Sequence, residues 1–259
     1  MSKALKEYLV QAGNLKFYSN APKMSDVEII SLSITAECLG IDSENLLWSK
    51  INKDYADLFE QLIHRTRYNH RRKVLFEWIQ HCAKGWSKQM KHPKNEFIID
   101  SIPLPVCKIC RERRSTVCRK PNDQVKASKG CSSTNKQFYI GYRLDLITSC
   151  TGVYQESAIQ PANIHDITFL KELSAPHLKY CTLIGDTAYR SAPLQLSLFE
   201  EHKIDLSVPY RSNPKGYKEY PYLMKIKRKM IETVFSQYCD DLMLKRNYAK
   251  SSMGLYSAC

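Results

Sequence analysis

The first 95 residues carry apolar side chains at the three- and four-residue spacing of amphipathic helices. Ser25 begins the clearest of these segments, and Glu28 follows three residues later, which is the arrangement of a capping box. A second helix is predicted at 55–63. The pattern therefore predicts a small all-helical N-terminal domain over residues 1–95.

From residue 96 the pattern changes to short strands and then to alternating helices and strands. An antiparallel meander is predicted at 97–103, 138–148 and 153–159. Further elements are predicted in the remaining chain, as strands at 181–186 and 204–208 and as helices at 191–202 and 225–245. This order predicts a mixed α/β sheet flanked by helices over residues 96–259. The connection at 108–136 is rich in Arg, Lys, Ser and Cys and is predicted to be a flexible basic loop.

The composition is typical of a folded intracellular protein. The 259 residues are 43% apolar and 25% charged, close to the globular average, and suffice for one large domain or two small ones. Ten cysteines would suit a disulfide scaffold only in a short secreted chain, and the first residues lack the apolar segment of a signal peptide. A cytoplasmic location with reduced thiols is expected. No apolar stretch reaches the roughly 20 residues of a membrane-spanning helix.

The net charge of +13 indicates a polyanionic partner, either nucleic acid or an acidic membrane surface. One basic run, 64–73, has an aromatic residue inside it and could neutralise several phosphates and stack a base. The alternative is a solvated helix face. The candidate DNA-binding arginines in this run are Arg65, Arg67, Arg71 and Arg72.

Three acidic residues are candidates for chemistry. Asp100 follows Phe-Ile-Ile and Asp186 follows Leu-Ile-Gly, so both carboxylates lie beside apolar strands, where desolvation is costly without a positive partner. A divalent metal would satisfy both. Glu232 adjoins the apolar stripe of the last long helix. Each acid taken alone could be a surface or capping carboxylate, but the order strand Asp, strand Asp, helix Glu favours a shared site.

Five segments carry a resemblance to a known family. They are IIDSIPLPVCK at 98–108, YIGYRLDLIT at 139–148, PANIHD at 161–166, IGDTAYRS at 184–191 and RKMIETVFSQ at 228–237. In order and spacing the chain resembles DDE-type bacterial insertion-sequence transposases, most closely those of the insertion sequence 982 family. The resemblance implies an RNase H-like catalytic domain over 96–259, preceded by a helical DNA-binding domain over 1–95.

The resemblance also implies a chemistry for the three acids. Asp100, Asp186 and Glu232 would be the catalytic triad and the ligands of two Mg²⁺ or Mn²⁺ ions, since hard carboxylate oxygens suit these ions. Two such ions about 3.5–4 Å apart could activate a water and stabilise the leaving 3′ oxygen. The implied activity is metal-dependent cleavage of phosphodiester bonds followed by strand transfer.

Further residues take roles from the same resemblance. Arg228, one helical turn before Glu232, would contact phosphate, although Lys225 and Cys239 stand where the family signature has Tyr and Lys. Tyr189 and Arg190 would contact DNA.

For three residues of the middle segments, two alternative roles stay open. Either His165 or Asp166 would lie near the acids, while the alternative is that Asp166 caps a helix and His165 is a turn residue. Asp145 stands where the family usually has His, and it would either alter the metal site or face solvent.

The expected partners are double-stranded DNA, both the terminal inverted repeats and the target, and a second copy of the chain on paired ends. A nucleoid-associated location would follow. Residues 251–259 lack helical periodicity, where family members continue with helix, so a truncated C-terminus is expected. Two alternatives stay open: an inactive DNA-binding remnant that represses its own element, and an RNase H-like nuclease with another substrate.

A zinc site is a less favoured interpretation of the basic loop. Cys107 and Cys110 have CxxC spacing, but Cys118 and Cys131 lack the second paired spacing that is typical of zinc ribbons.

Overall fold

The computed structural model describes residues 5–41, 43–59, 61–90, 95–121, 123, 125–132, 136–173, 178–210, 219–245 and 251–256. It divides into two compact units. The helical unit comprises residues 1–86 with 241–243, and the sheet unit comprises residues 87–240 with 244–259. Within the described residues, no helix combines the length and the apolar character needed to cross a membrane.

The helical unit is built from four helices, α1 (Asp26–Cys38), α2 (Glu44–Asp54), α3 (Arg65–Val74) and α4 (Phe76–Gln89), the last of which continues into the sheet unit. The predicted capping box is confirmed, because Ser25 Oγ accepts from the Glu28 amide and the Glu28 carboxylate accepts from the Ser25 amide. The helix predicted at 55–63 is wrong. The described residues of this range form one 3₁₀ turn, Ala56–Leu58, and the helix lies earlier, where Ser43 caps α2.

The sheet unit contains six strands, β1 (Glu96–Lys108), β2 (Ser128–Ser132), β3 (Gln137–Ser149), β4 (Tyr154–Pro161), β5 (Thr182–Ile184) and β6 (Asp205–Ser207). The sheet order is β2-β3-β1-β5-β6, and β4 pairs with the same edge of β3 further along the strand. Pairings among β1 to β4 are antiparallel, whereas β5 runs parallel to β1 and to β6. The predicted meander is confirmed, and the sheet is mixed, as expected.

Two hydrophobic cores lie on opposite faces of this sheet, because side chains alternate along each strand. Phe97 and Ile99 of β1 pack into one core with α6 (Ala192–His202) and α5 (Ile167–Lys171). Ile98 and Leu104 pack into the other core with α7 (Tyr222–Asp240) and α8 (Ser252–Tyr256). The α/β layering is compatible with an RNase H-like domain.

Two predictions about irregular segments need correction. The loop at 108–136 is not uniformly flexible, because β2 pairs with the start of β3 and Cys118 is fully buried. Residues 251–259 contain a short helix, α8, whose Leu255 is fully buried although too few residues are helical to give a periodic pattern. Cys107, Cys110, Cys118 and Cys131 are free thiols of differing burial, and the described residues contain no metal-binding group that includes them.

Candidate functional site

Asp100 and Asp186 are placed by the parallel pairing of β1 with β5. Ile98 of β1 pairs with Ile184 of β5, and each acid follows its paired isoleucine by two residues. Both acids therefore lie on the same face of the sheet, close to the carboxyl end of β5. The pKa of Asp100 is raised to about 6, mainly by burial and also by the Asp186 charge, against a lowering by the Ser101 amide and Arg228. The structure therefore brings these two predicted acids within electrostatic range of each other.

Neither carboxylate of this pair is neutralised by a basic side chain. Among the described residues, neither Asp100 nor Asp186 forms a salt bridge. Asp100 Oδ1 accepts from the Ser101 amide at 2.8 Å, and Asp186 Oδ1 accepts from the Ala188 amide at 2.8 Å. Two adjacent carboxylates that form no salt bridge among the described residues offer hard oxygen donors, and this donor chemistry fits Mg²⁺ or Mn²⁺.

Glu232 lies on a groove that Asp100 also lines. It is an exposed residue of α7, and the groove has a volume of about 1120 Å³. Within the described part of the chain, however, no three Asp, Glu, His or Cys side chains are close enough to hold a metal ion together. The structure thus places Glu232 on the same groove as Asp100 without gathering the three acids into one closed ligand set.

Arg228 precedes Glu232 by one turn of α7 and lies within electrostatic range of Asp100, since its charge lowers the pKa of that carboxyl. Its Nε is buried, and the described residues offer it no hydrogen-bond partner. Arg228 as a whole is half-buried, and a guanidinium is well suited to bind phosphate. This placement is consistent with the phosphate contact predicted for Arg228.

The turn that contains His165 and Asp166 reverses the expected roles. Asp166 occupies the position before α5 but makes no capping hydrogen bond, whereas His165 Nδ1 accepts from the Ile167 amide at 3.4 Å. Asp166 Oδ1 instead accepts from Ser101 Oγ at 2.7 Å and pairs with Arg143 at 3.0 Å. The capping interpretation of Asp166 is therefore wrong, and this carboxylate holds the residue that follows Asp100.

Ser101 and Arg143 were not singled out by the sequence. The sequence pointed to these two residues only through their positions. Ser101 directly follows Asp100, and Arg143 is two residues from Asp145 on the same side of β3. Arg143 also donates to the Ile164 carbonyl, so it ties β3 to the turn before α5. The local sequence pattern does not show that β1, β3 and the turn before α5 meet at this point.

Asp145 does not face solvent. It is fully buried opposite Ser101, its two oxygens have no hydrogen-bond partner among the described residues, and burial raises its pKa to about 8. Because Ser101 and Asp100 are consecutive in β1, Asp145 lies on the sheet face opposite to Asp100. The alternative of a solvent-facing residue is wrong, and Asp145 faces the core that contains Tyr189.

The two residues after Asp186 differ in exposure. Tyr189 is 1% exposed and belongs to the hydrophobic core beside α6, so the predicted DNA contact is corrected to a core position. Burial raises its pKa well above the usual value. Arg190 is half-buried, and its guanidinium lies 4.2 Å from the centre of the Tyr210 ring. Of these two residues, only Arg190 is exposed enough to contact a ligand.

The four arginines of the basic run have different environments in the helical unit. Arg71 is 12% exposed and pairs with the fully buried Asp26 at 2.5 Å, and Arg72 pairs with Glu37 and Glu44. Arg65 pairs with Glu44 at 3.4 Å. Arg67 is exposed and has no ion pair among the described residues. Arg71 and Arg72 thus hold the helices together, which corrects the view of the run as a uniform DNA-binding face.

A mixed sheet that carries acidic side chains on two neighbouring interior strands is compatible with enzymes that use divalent metals to act on phosphates. The family comparison is more specific. Residues 90–248 match the model of the transposase DDE domain, which covers more than half of the chain, and the chain therefore belongs to this family. No characterised protein and no solved structure matches the chain significantly. Membership of the insertion sequence 982 family stays a prediction.

Proposed function

We propose that this protein is a DNA transposase that binds the terminal inverted repeats of its element, cleaves a DNA strand and transfers the new end to target DNA. The observation that supports this most directly is the position of Asp100 and Asp186 on two neighbouring strands, within electrostatic range of each other, in a chain of the transposase DDE family. Family membership implies DNA as the partner.

Each residue of the site has a proposed part. Asp100 and Asp186, with Glu232 from α7, would hold Mg²⁺ or Mn²⁺, which would stabilise negative charge on the phosphate and favour ionisation of an attacking water. Arg228 would bind a phosphate oxygen beside Asp100. Asp166 and Arg143 would keep Ser101, and with it the part of β1 that carries Asp100, in place. Residues 1–95 would contact the repeats, with Arg67 as the exposed cation and the half-buried Arg65 beside it, and two copies would pair the ends.

The test is cleavage of a labelled duplex that carries the terminal inverted repeats flanking the gene, with Mg²⁺ or Mn²⁺. Asp100→Asn and Asp186→Asn should each lower the cleavage rate by at least about 100-fold, because each removes negative charge from the metal site. Asp205→Asn is the matched control, since Asp205 is an exposed acid on the neighbouring strand β6. Equal cleavage by all three variants would show that the assignment of the acids is wrong.

A second candidate is an inactive remnant that binds the repeats and represses its element. One observation favours it: the described residues contain no closed three-residue metal group, so Glu232 is not gathered with the aspartates. Salt-dependent binding of the repeats, without cleavage in any divalent metal, is the result expected of a repressor.

A further inference from the structure

The groove that begins at Asp100 and Glu232 continues well beyond them. On one side it follows β1 from Asp100 to Lys108, and on the other it follows one face of α7, where Glu232, Phe235 and Cys239 recur at helical spacing. Eight residues of strand span about 26 Å at roughly 3.3 Å each. The groove is thus long enough for a stretch of nucleic acid rather than for one small molecule.

The chemistry of the groove changes along its length. Asp100 and Glu232 stand at one end, while the wall beyond them is largely apolar and is formed by Ile102, Pro103, Pro105, Ile109 and Phe138 with the thiols of Cys107, Cys110 and Cys239. A third acid, Asp240, lines the far part. Lys108 and Lys245 supply positive charge in the far part. A wall of this kind offers little to the phosphates of an intact duplex but suits the apolar faces of unpaired bases, with the lysines available to the backbone.

Phe138 is the exposed aromatic side chain of this wall. It lies at the start of β3 with 56% of its surface exposed, whereas Phe235 and Tyr139 of the same wall are buried. The ammonium of Lys129 on β2 lies 4.9 Å from the centre of its ring. An exposed aromatic ring beside a cation is the combination with which proteins stack a base and bind the adjoining phosphate.

We propose that this groove holds unpaired nucleotides of the DNA strand that leads to the cleavage site, with a base stacked on Phe138 and the backbone contacted by Lys108 and Lys129. The inference rests on the proposed function, because it takes the acids at the head of the groove as the point of cleavage. It adds a specific requirement: the duplex must open near the cut, so an end that is already frayed is the better substrate.

The direct test is binding of a fluorescein-labelled single-stranded oligonucleotide of the end sequence to the full-length protein, measured by anisotropy. Phe138→Ala should weaken this binding about 5- to 100-fold, the range expected for the loss of one stacked base, and Phe138→Trp should restore it. Phe199→Ala is the matched control. Phe199 is 54% exposed in the same unit and has Lys203 5.4 Å from its ring centre, but it does not line the groove.

Opening of the duplex is tested in the same variants with 2-aminopurine placed near the cleavage site. The wild type and Phe199→Ala should increase its fluorescence on binding, whereas Phe138→Ala should not. A substrate with mismatches at the end should recover cleavage by Phe138→Ala. Both variants change exposed side chains, so their melting temperatures should equal that of the wild type.

The outcomes separate this inference from the proposed function. If Phe138→Ala and Phe199→Ala bind the single strand equally, or if the blunt duplex binds as well as the frayed one, the groove inference is wrong even when cleavage depends on Asp100. If the single strand binds through Phe138 but no variant or wild-type protein cleaves DNA, the groove inference stands and the proposed transposase activity fails.

Discussion

Ile98 of β1 pairs in parallel with Ile184 of β5, and this single register sets the spacing of the candidate site. A shift of one residue in either strand would turn one of the two acids to the opposite face of the sheet, because side chains alternate along a strand. Ile98 and Ile184 are both fully buried, so the register is fixed by packing. The position of the acids is therefore a consequence of the hydrophobic core beneath them.

The buried acid Asp145 should make the stability of the sheet unit depend on pH. Its pKa is raised to about 8 in the folded protein, whereas in the unfolded chain it is near 4. Between these values the unfolded state is ionised and the folded state binds the proton, so the free energy of unfolding should fall as the pH rises from about 4 to about 8.

Asp145→Asn should remove this dependence. The variant should be more stable than the wild type at pH 8, on the order of 3 kcal/mol, and no more stable at pH 4, where the acid is protonated in both states. Denaturant unfolding at the two pH values measures the difference. A wild type whose stability does not change over this range would contradict the burial of an unpaired carboxyl at this position.

Asp166 is expected to act on the site through Ser101 and Arg143. Asp166→Asn removes the charge that pairs with Arg143 at 3.0 Å and weakens the hydrogen bond to Ser101. Cleavage should fall about 10- to 100-fold, the usual effect of losing a residue that orients a metal ligand. Metal titration of the rate should show a higher requirement for Mg²⁺, which a purely structural role would not produce.

The control for Asp166 is His165→Ala in the same turn. His165 is exposed and makes only a 3.4 Å contact with the Ile167 amide, so this variant should keep both the rate and the metal requirement of the wild type. Equal losses in the two variants would indicate damage to the turn as a whole.

The sequence allowed the strands that carry the acids to be predicted, because Phe97, Ile98 and Ile99 form a continuous apolar run and β3 alternates clearly. It did not allow the Asp166–Arg143 ion pair to be predicted, since that contact joins residues from separate segments through the fold. The burial of Tyr189 was missed for a related reason. A tyrosine after an acidic residue has the same local pattern whether it faces DNA or a core, and only the packing of α6 decides.

Two arginines of the basic run should have different roles: Arg71 should stabilise the helical unit, and Arg67 should contact DNA. Arg71→Ala leaves Asp26 buried without its ion pair and should lower the free energy of unfolding of the helical unit by about 3–5 kcal/mol. Arg67→Ala, in the same helix but exposed, should leave stability unchanged. If residues 1–95 bind DNA, Arg67→Ala should weaken binding and reduce the slope of log affinity against log salt by about 0.9.

The C-terminal helix α8 is expected to stabilise the sheet unit. Leu255 is fully buried in the core below α7, and Asp123 accepts hydrogen bonds from both the amide and the hydroxyl of Ser252, at 2.7 and 3.1 Å. Leu255→Ala should therefore lower the free energy of unfolding by about 2–5 kcal/mol, through lost burial and the cavity left behind.

Met253→Ala provides the comparison within α8, because Met253 is exposed. It should change stability by less than about 0.5 kcal/mol. Chemical denaturation, followed by a probe in the sheet unit, measures both variants. Equal stability of the two variants would show that α8 does not pack against the sheet. A large loss in Leu255→Ala alone would mean that these last residues help hold α7, and hence Glu232 and Arg228, against the strand that carries Asp100.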